Sequence, residues 1–205
     1  MLGLMQDHPL LISSIFEHAV GNYGKQEIVS NTVEGGIHRY NYSSWGERTK
    51  KLANALKSLN LNQGDKVGTL AWNGYRHLEI YYATSCSGLI CHTLNPRLHP
   101  DQVSYIVNHA EDKVLCVDLN ILPLIEKASE NFKTVEALVI MTDEKNMIKP
   151  NIKEGIKIIC YEEFIKDQSE EYIWPQLDEK TASSLCYTSG TTGNPKGVLY
   201  SHRST

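Results

Sequence analysis

The chain has 205 residues, enough for one large domain or two small ones and for burying roughly 70% of its unfolded surface. Apolar residues make up 41% and charged residues 21%, ordinary values for a soluble globular protein. A net charge of −4 and the lack of any Lys/Arg block of five or more exclude nucleic acid or an anionic membrane surface as the main partner.

Leu10-Leu11-Ile12 follows Asp7 and His8 rather than a basic cluster, so no secretory signal is expected. Gln26 to Asn31 and Ile37 to Tyr42 flank Glu34-Gly35-Gly36 and predict an antiparallel hairpin. Asn41 or Ser43 can cap the next helix, whose apolar positions are Trp45, Leu52, Ala53, Leu56 and Leu59. Glu47 and Lys51 read as an i,i+4 pair on its wet side. Strands and helices then alternate. Lys66 to Ala71 is a strand closed by an Asn73-Gly74 turn, 76–87 a helix, and Leu89 to Leu94 a strand. His99-Pro100 opens a helix running through Val103, Ile106 and Val107. Lys113 to Val117 is a strand, Leu122 to Ser129 a helix, and Val135 to Met141 a strand. Such alternation predicts an α/β fold with a mostly parallel sheet flanked by helices and right-handed crossovers, plus the short N-terminal hairpin.

Residues 142–180 are more polar. A short strand (Lys157 to Cys160) and a short helix (Tyr161 to Ile165) interrupt them. Residues 166–180, with five acidic and two basic side chains, read as a solvated excursion rather than an acidic binding patch. Ala182 to Tyr187 and Gly197 to Tyr200 are strands that enter and leave a glycine-rich loop. The longest apolar run, Ala137 to Met141, falls far short of the roughly 18 residues of a membrane-spanning helix. The five cysteines include no CxxC and read as free thiols in a reducing cytosol, so a cytoplasmic location is expected. His92, His99 and His109 lie seven and ten residues apart, without zinc-ligand spacing, and read as capping or surface groups.

The loop carries the chemistry. It reads Tyr187-Thr188-Ser189-Gly190-Thr191-Thr192-Gly193-Asn194-Pro195-Lys196-Gly197-Val198. Glycines let backbone N–H groups converge on phosphate oxygens, hydroxyls add rotatable donors, and Lys196 adds a positive charge. Pro195 stiffens the turn before the lysine. The spacing is not that of a Walker A loop: beyond the four residues that follow Gly190 stands Pro195 instead of glycine, and Gly197 rather than a hydroxyl residue follows the lysine. A ligand-free hairpin would need two to five loop residues and one or two glycines, fewer than are present.

This string closely resembles the phosphate loop of the AMP-forming adenylating enzymes: acyl-CoA synthetases, peptide-synthetase adenylation domains and firefly-type luciferases. Upstream, Asp65-Lys66-Val67-Gly68-Thr69-Leu70-Ala71-Trp72-Asn73 is similar to that superfamily's first core strand. His92-Thr93-Leu94-Asn95-Pro96-Arg97-Leu98 and Tyr105-Ile106-Val107-Asn108-His109-Ala110-Glu111-Asp112 resemble medium- and long-chain fatty-acyl-CoA ligases and ligases of methylthio-alkanoic acids. The resemblance implies that residues 1–205 are the N-terminal portion of an AMP-binding synthetase domain, incomplete after the loop. It implies ATP-dependent activation of a carboxylic acid to an acyl-adenylate, then transfer to coenzyme A. Thr188, Ser189, Gly190, Thr191, Thr192, Gly193 and Lys196 would hold the ATP phosphates, with Thr188 nearest the Mg2+. No catalytic residue is expected within this stretch: the adenine, ribose and catalytic-lysine motifs lie downstream in the superfamily, whose members often dimerise. The rival reading is a non-catalytic piece that binds nucleotide weakly or pairs with a second chain. Arg97 and His99 read as a structural turn and helix start, Glu111, Asp112 and Asp118 as strand-end acids, and Tyr187 as packing beneath the loop. His202 and Arg203 follow the outgoing strand as candidate neighbours of the site.

Overall fold

The computed structural model describes residues 1, 3–188 and 194–205. It opens with a helix, α1 (Ile12–Tyr23), that the sequence reading did not anticipate. Leu11 occupies its N-cap position without a side-chain cap, so the usual start signal is missing. What holds α1 is packing: Phe16 is fully buried, edge-on to Trp45 at 4.8 Å and to Trp174 at 5.3 Å. Burying one such ring stabilises the fold by about 2–3 kcal/mol.

The hairpin forms as expected from β1 (Glu27–Asn31) and β2 (Ile37–Asn41), with Gly35 and Gly36 both at positive φ in its turn. Asn41, not Ser43, caps α2 (Tyr42–Lys57) by accepting from the Ser44 N–H at 2.9 Å. Lys51 pairs with Glu170 at 3.0 Å rather than with Glu47, because the polar excursion runs back along α2. The remaining elements are β3 (Lys66–Leu70), α3 (Tyr75–Cys86), β4 (Ile90–Thr93), α4 (Pro100–Ala110), β5 (Asp112–Val117), α5 (Leu122–Ser129), β6 (Ala137–Ile140), β7 (Lys157–Cys160), α6 (Tyr161–Lys166), β8 (Ala182–Thr188) and β9 (Lys196–Ser201). Among the described residues, no helix is long and apolar enough to cross a membrane. All five cysteines are free thiols.

Seven strands make one sheet in the order β7-β6-β5-β3-β4-β8-β9, parallel except for β9. Helices α1, α2, α3 and α6 pack on one face, and α4 and α5 on the other. Apolar strands buried on both sides, such as Val114–Val117, require this double cover. Residues 166–180 are more firmly attached than a solvated excursion would be. Their acidic side chains face outward, but Trp174 and Leu177 are buried, and Trp174 Nε1 donates to Glu17 Oε1 at 2.8 Å.

An ionic network ties the hairpin, α2, α3 and α6 together. Arg76 donates to Glu34 and Glu162, both at 2.7 Å, and Arg48 donates to Glu162 at 3.0 Å and Glu79 at 2.8 Å. The Tyr161 hydroxyl donates to Glu79 at 2.6 Å. Full burial pushes the Glu79 carboxyl up, against the pull of Arg48 and Tyr161. Burial also opposes ionisation of Glu162, but hydrogen bonds and charge from Arg48 and Arg76 hold it below the ordinary carboxylate range.

Candidate functional site

The glycine-rich loop leaves from β8 and returns into β9, so it joins two antiparallel strands, as its composition suggested. Thr188 and Lys196 face each other in register at its mouth, one step beyond the Tyr187–Gly197 pair. Both are exposed. Of the predicted phosphate-binding residues, these two are placed; Ser189, Gly190, Thr191, Thr192 and Gly193 lie outside the described residues.

The mouth sits at the carboxyl end of the parallel strands, where open α/β sheets bind ligands. Beside it opens a cleft of about 380 Å³. Thr93, Asn95 and Gln102 give the cleft polar groups, Leu98 an apolar wall, and Thr188 and Pro195 its rim. The Asn95-Pro96-Arg97 turn is structural, as expected: Asn95 Oδ1 accepts from the Arg97 N–H at 2.9 Å. His99 caps α4 in a capping box with Gln102.

Tyr187, expected to pack beneath the loop, lies at its mouth against the return strand. Its ring lies across the neighbouring strand on Gly197, where an added Cβ would sit 3.2 Å from the ring. Its other side faces the His92 ring at 5.2 Å. Burial, then the nearby Asp112 charge, push the Tyr187 phenol above its ordinary range. The phenol therefore stays protonated, and its hydroxyl is hydrogen-bonded with His109 Nδ1 at 2.6 Å.

Below this lies a fully buried pair: His92 Nδ1 bonds the Asp112 carboxylate at 2.8 and 2.9 Å. Gly68 makes room for it, since a Cβ there would lie 3.0 Å from Asp112 Oδ2 and 2.5 Å from Leu115. His92 is therefore neither a capping nor a surface histidine. The pairing joins β4 to β5 across β3, and nothing local in the sequence marks it.

His202 and Arg203 do not approach the site. The antiparallel course of β9 carries them to the opposite end of the strand from Lys196. There His202 Nδ1 accepts from the Ile12 N–H at 3.3 Å and Arg203 pairs with Glu179 at 2.7 Å.

Asp118 follows β5, and its Oδ2 accepts from the Trp72 N–H at 2.7 Å. Burial pushes its carboxyl up to about 6. Its unfolded value is about 3.9, so its contribution is fully present below about pH 4 and is lost as pH rises through about 6. Asp118→Asn keeps the acceptor for Trp72 and removes the ionisation. The variant is expected to be more stable than the parent at pH 7 by about 1–2 kcal/mol, with the gap closing at pH 4. Urea midpoints across that range check this; parallel curves for the two proteins would contradict it.

The AMP-binding enzyme family matches residues 16–205. The chain belongs to that family. As an AMP-binding enzyme it is similar over its whole length to a 3-methylmercaptopropionyl-CoA ligase of Ruegeria pomeroyi (49% identity) and a medium-chain-fatty-acid–CoA ligase of Ectopseudomonas oleovorans (47% identity). It spans 38% and 37% of those relatives' lengths, well under half. Among solved structures, an anthranilate CoA ligase, AuaEII, in complex with anthranoyl-AMP superposes with a TM-score of 0.81 at 25% identity, covering 97% of this chain and 37% of that one. The fold is thus that of the N-terminal part of an adenylate-forming ligase, and the family's acid activation uses ATP and coenzyme A.

Proposed function

We propose that this AMP-binding chain supplies the ATP-phosphate loop of an AMP-forming acid–CoA ligase acting on a fatty or methylthio-alkanoic acid. The observation that carries the reading is the pairing of Thr188 with Lys196 at the mouth of a glycine- and hydroxyl-rich loop, at the carboxyl end of the sheet. In the first step a carboxylate oxygen attacks the α-phosphorus of ATP, and the bond to the bridging oxygen breaks to release pyrophosphate. In the second, the coenzyme A sulfur attacks the acyl carbon, its proton is lost, and AMP departs. The loop serves the first step. Lys196 and the donors of Thr188, Ser189, Gly190, Thr191, Thr192 and Gly193 hold the β- and γ-phosphates so that the leaving pyrophosphate lies in line. Thr188 would offer a hard oxygen donor to the Mg2+ that accompanies the phosphates, and such an ion would supply neutralisation of part of their charge. The five free thiols support a reducing, cytoplasmic setting.

A second reading, a non-catalytic piece that pairs with another chain, draws on β9. This strand is a sheet edge, and Val198, Leu199 and Tyr200 on it are 39%, 58% and 40% exposed. Two measurements on the full translation product of the gene separate the readings: ATP binding, and acid-dependent exchange of pyrophosphate into ATP. Exchange with 3-methylthiopropionate or a medium-chain fatty acid is expected. ATP binding without exchange for any acid favours the second reading, and no ATP binding refutes the phosphate-loop assignment.

A further inference from the structure

The parallel ladder between β4 and β8 ends at the Thr93–Cys186 pair. Among the described residues, Tyr187 and Thr188 therefore extend past that ladder with β9 as their one strand partner, and β9 is itself an edge strand. A two-stranded ribbon is marginally stable by itself. Besides the packing of the Tyr187 ring near His92, a side-chain hydrogen bond ties this ribbon to the body of the fold: the Tyr187 hydroxyl with His109 Nδ1, at 2.6 Å. His109 stands in the last turn of α4, its ring stacked against Tyr105 at 5.5 Å, on a helix whose Val103, Ile106 and Val107 are buried.

We infer that His109 is a positioning residue for the phosphate loop. Through Tyr187 it fixes the direction in which β8 delivers Thr188 and so holds the mouth of the loop at the width set by the Thr188–Lys196 register. The ring of Tyr187 transmits the constraint to both strands, because it lies on Gly197 of the return strand while its hydroxyl is held by α4. The inference rests on the phosphate-binding reading of the loop. It adds a residue 78 positions upstream of Tyr187 that touches no phosphate and would be passed over as a surface histidine.

The test uses the full translation product of the gene and its variants His109→Ala, His109→Asn and Tyr187→Phe. Asparagine places an amide group, able to accept or donate, where Nδ1 stood, and phenylalanine keeps the ring on Gly197 while removing the hydroxyl. Amide hydrogen exchange at Thr188, Lys196 and Gly197 reads the ribbon without nucleotide, and calorimetric titration with Mg–ATP reads binding. His109→Ala and Tyr187→Phe are expected to speed exchange at these amides and to weaken ATP binding, each about five-fold, with the double variant no worse than either single one. His109→Asn is expected to restore both readouts. His109 is exposed, so the melting temperature should hold in both His109 variants. Unchanged exchange in His109→Ala, or equal losses in His109→Ala and His109→Asn, overturns the inference. If the parent chain binds no ATP, the phosphate reading fails, and the exchange data still decide whether His109 braces the ribbon.

Discussion

Replacing Arg48 by methionine is expected to cost about 3–5 kcal/mol of stability, the scale for stripping one partner from a buried ion pair. Arg48 touches Glu79, whose side chain is fully buried, through two hydrogen bonds of 2.8 and 3.2 Å, and reaches Glu162 with two more. Without the guanidinium, Glu79 keeps the Tyr161 hydroxyl but faces the apolar interior as an uncompensated anion. Burial already favours its protonated form, and losing Arg48 drives it further that way. A carboxyl whose folded pKa lies above its unfolded value contributes stability below the unfolded pKa and loses it as pH rises. The penalty in Arg48→Met should therefore be largest near neutral pH and shrink on acidification. Urea midpoints at pH 7.5 and 5 measure both effects. Arg48→Met/Glu79→Leu should recover part of the loss, since a buried pair replaced by apolar groups of similar volume is often tolerated. A penalty under 1 kcal/mol at neutral pH would show that water reaches Glu79 and that the network contributes little.

Lys196→Ala is expected to weaken Mg–ATP binding by about 10- to 100-fold, the value of one charge-assisted hydrogen bond to an ionised oxygen. The fold should not change, because the side chain is exposed at the start of β9. Lys196→Arg should fall between the two, for the charge survives but the compact ammonium is replaced by a planar fork. Added salt should narrow the gap between the parent and Lys196→Ala, as screening weakens an exposed charge. Equal affinities at low salt would remove Lys196 from the phosphate site.

The regular α/β body was legible because its signals are local. Buried strands, Pro100 at a helix start and the strand–helix period each occupy a dozen residues or fewer, and the observed bounds differ from the expected ones by one or two positions at most strand ends. The mouth of the loop was legible for the same reason: glycine, threonine and lysine stand within one turn of chain. What escaped was set by distant contacts. Arg48 and Glu162 meet across 114 residues, and on a helix wheel Arg76 and Glu79 look like ordinary solvated positions. Phe16 and Trp174 pair a helix lacking a start signal with a segment whose composition reads as solvent-facing. His92 and Asp112 become partners only because Gly68 lets them meet over the intervening strand.

The place of β8 in the sheet bears on how the chain is built in time. β3 to β7 are joined by short, successive connections, whereas β8 docks beside β4 with Thr93 and Cys186 meeting across 93 residues. Loop-closure entropy for such a pairing must be met before its contacts form, so the strand carrying the site is a late arrival in folding. It also emerges from the ribosome after β3 to β7, and N-terminal units fold first during synthesis. The strands β3 to β7 can therefore be paired before β8 arrives, leaving the edge of β4 open until β8 fills it.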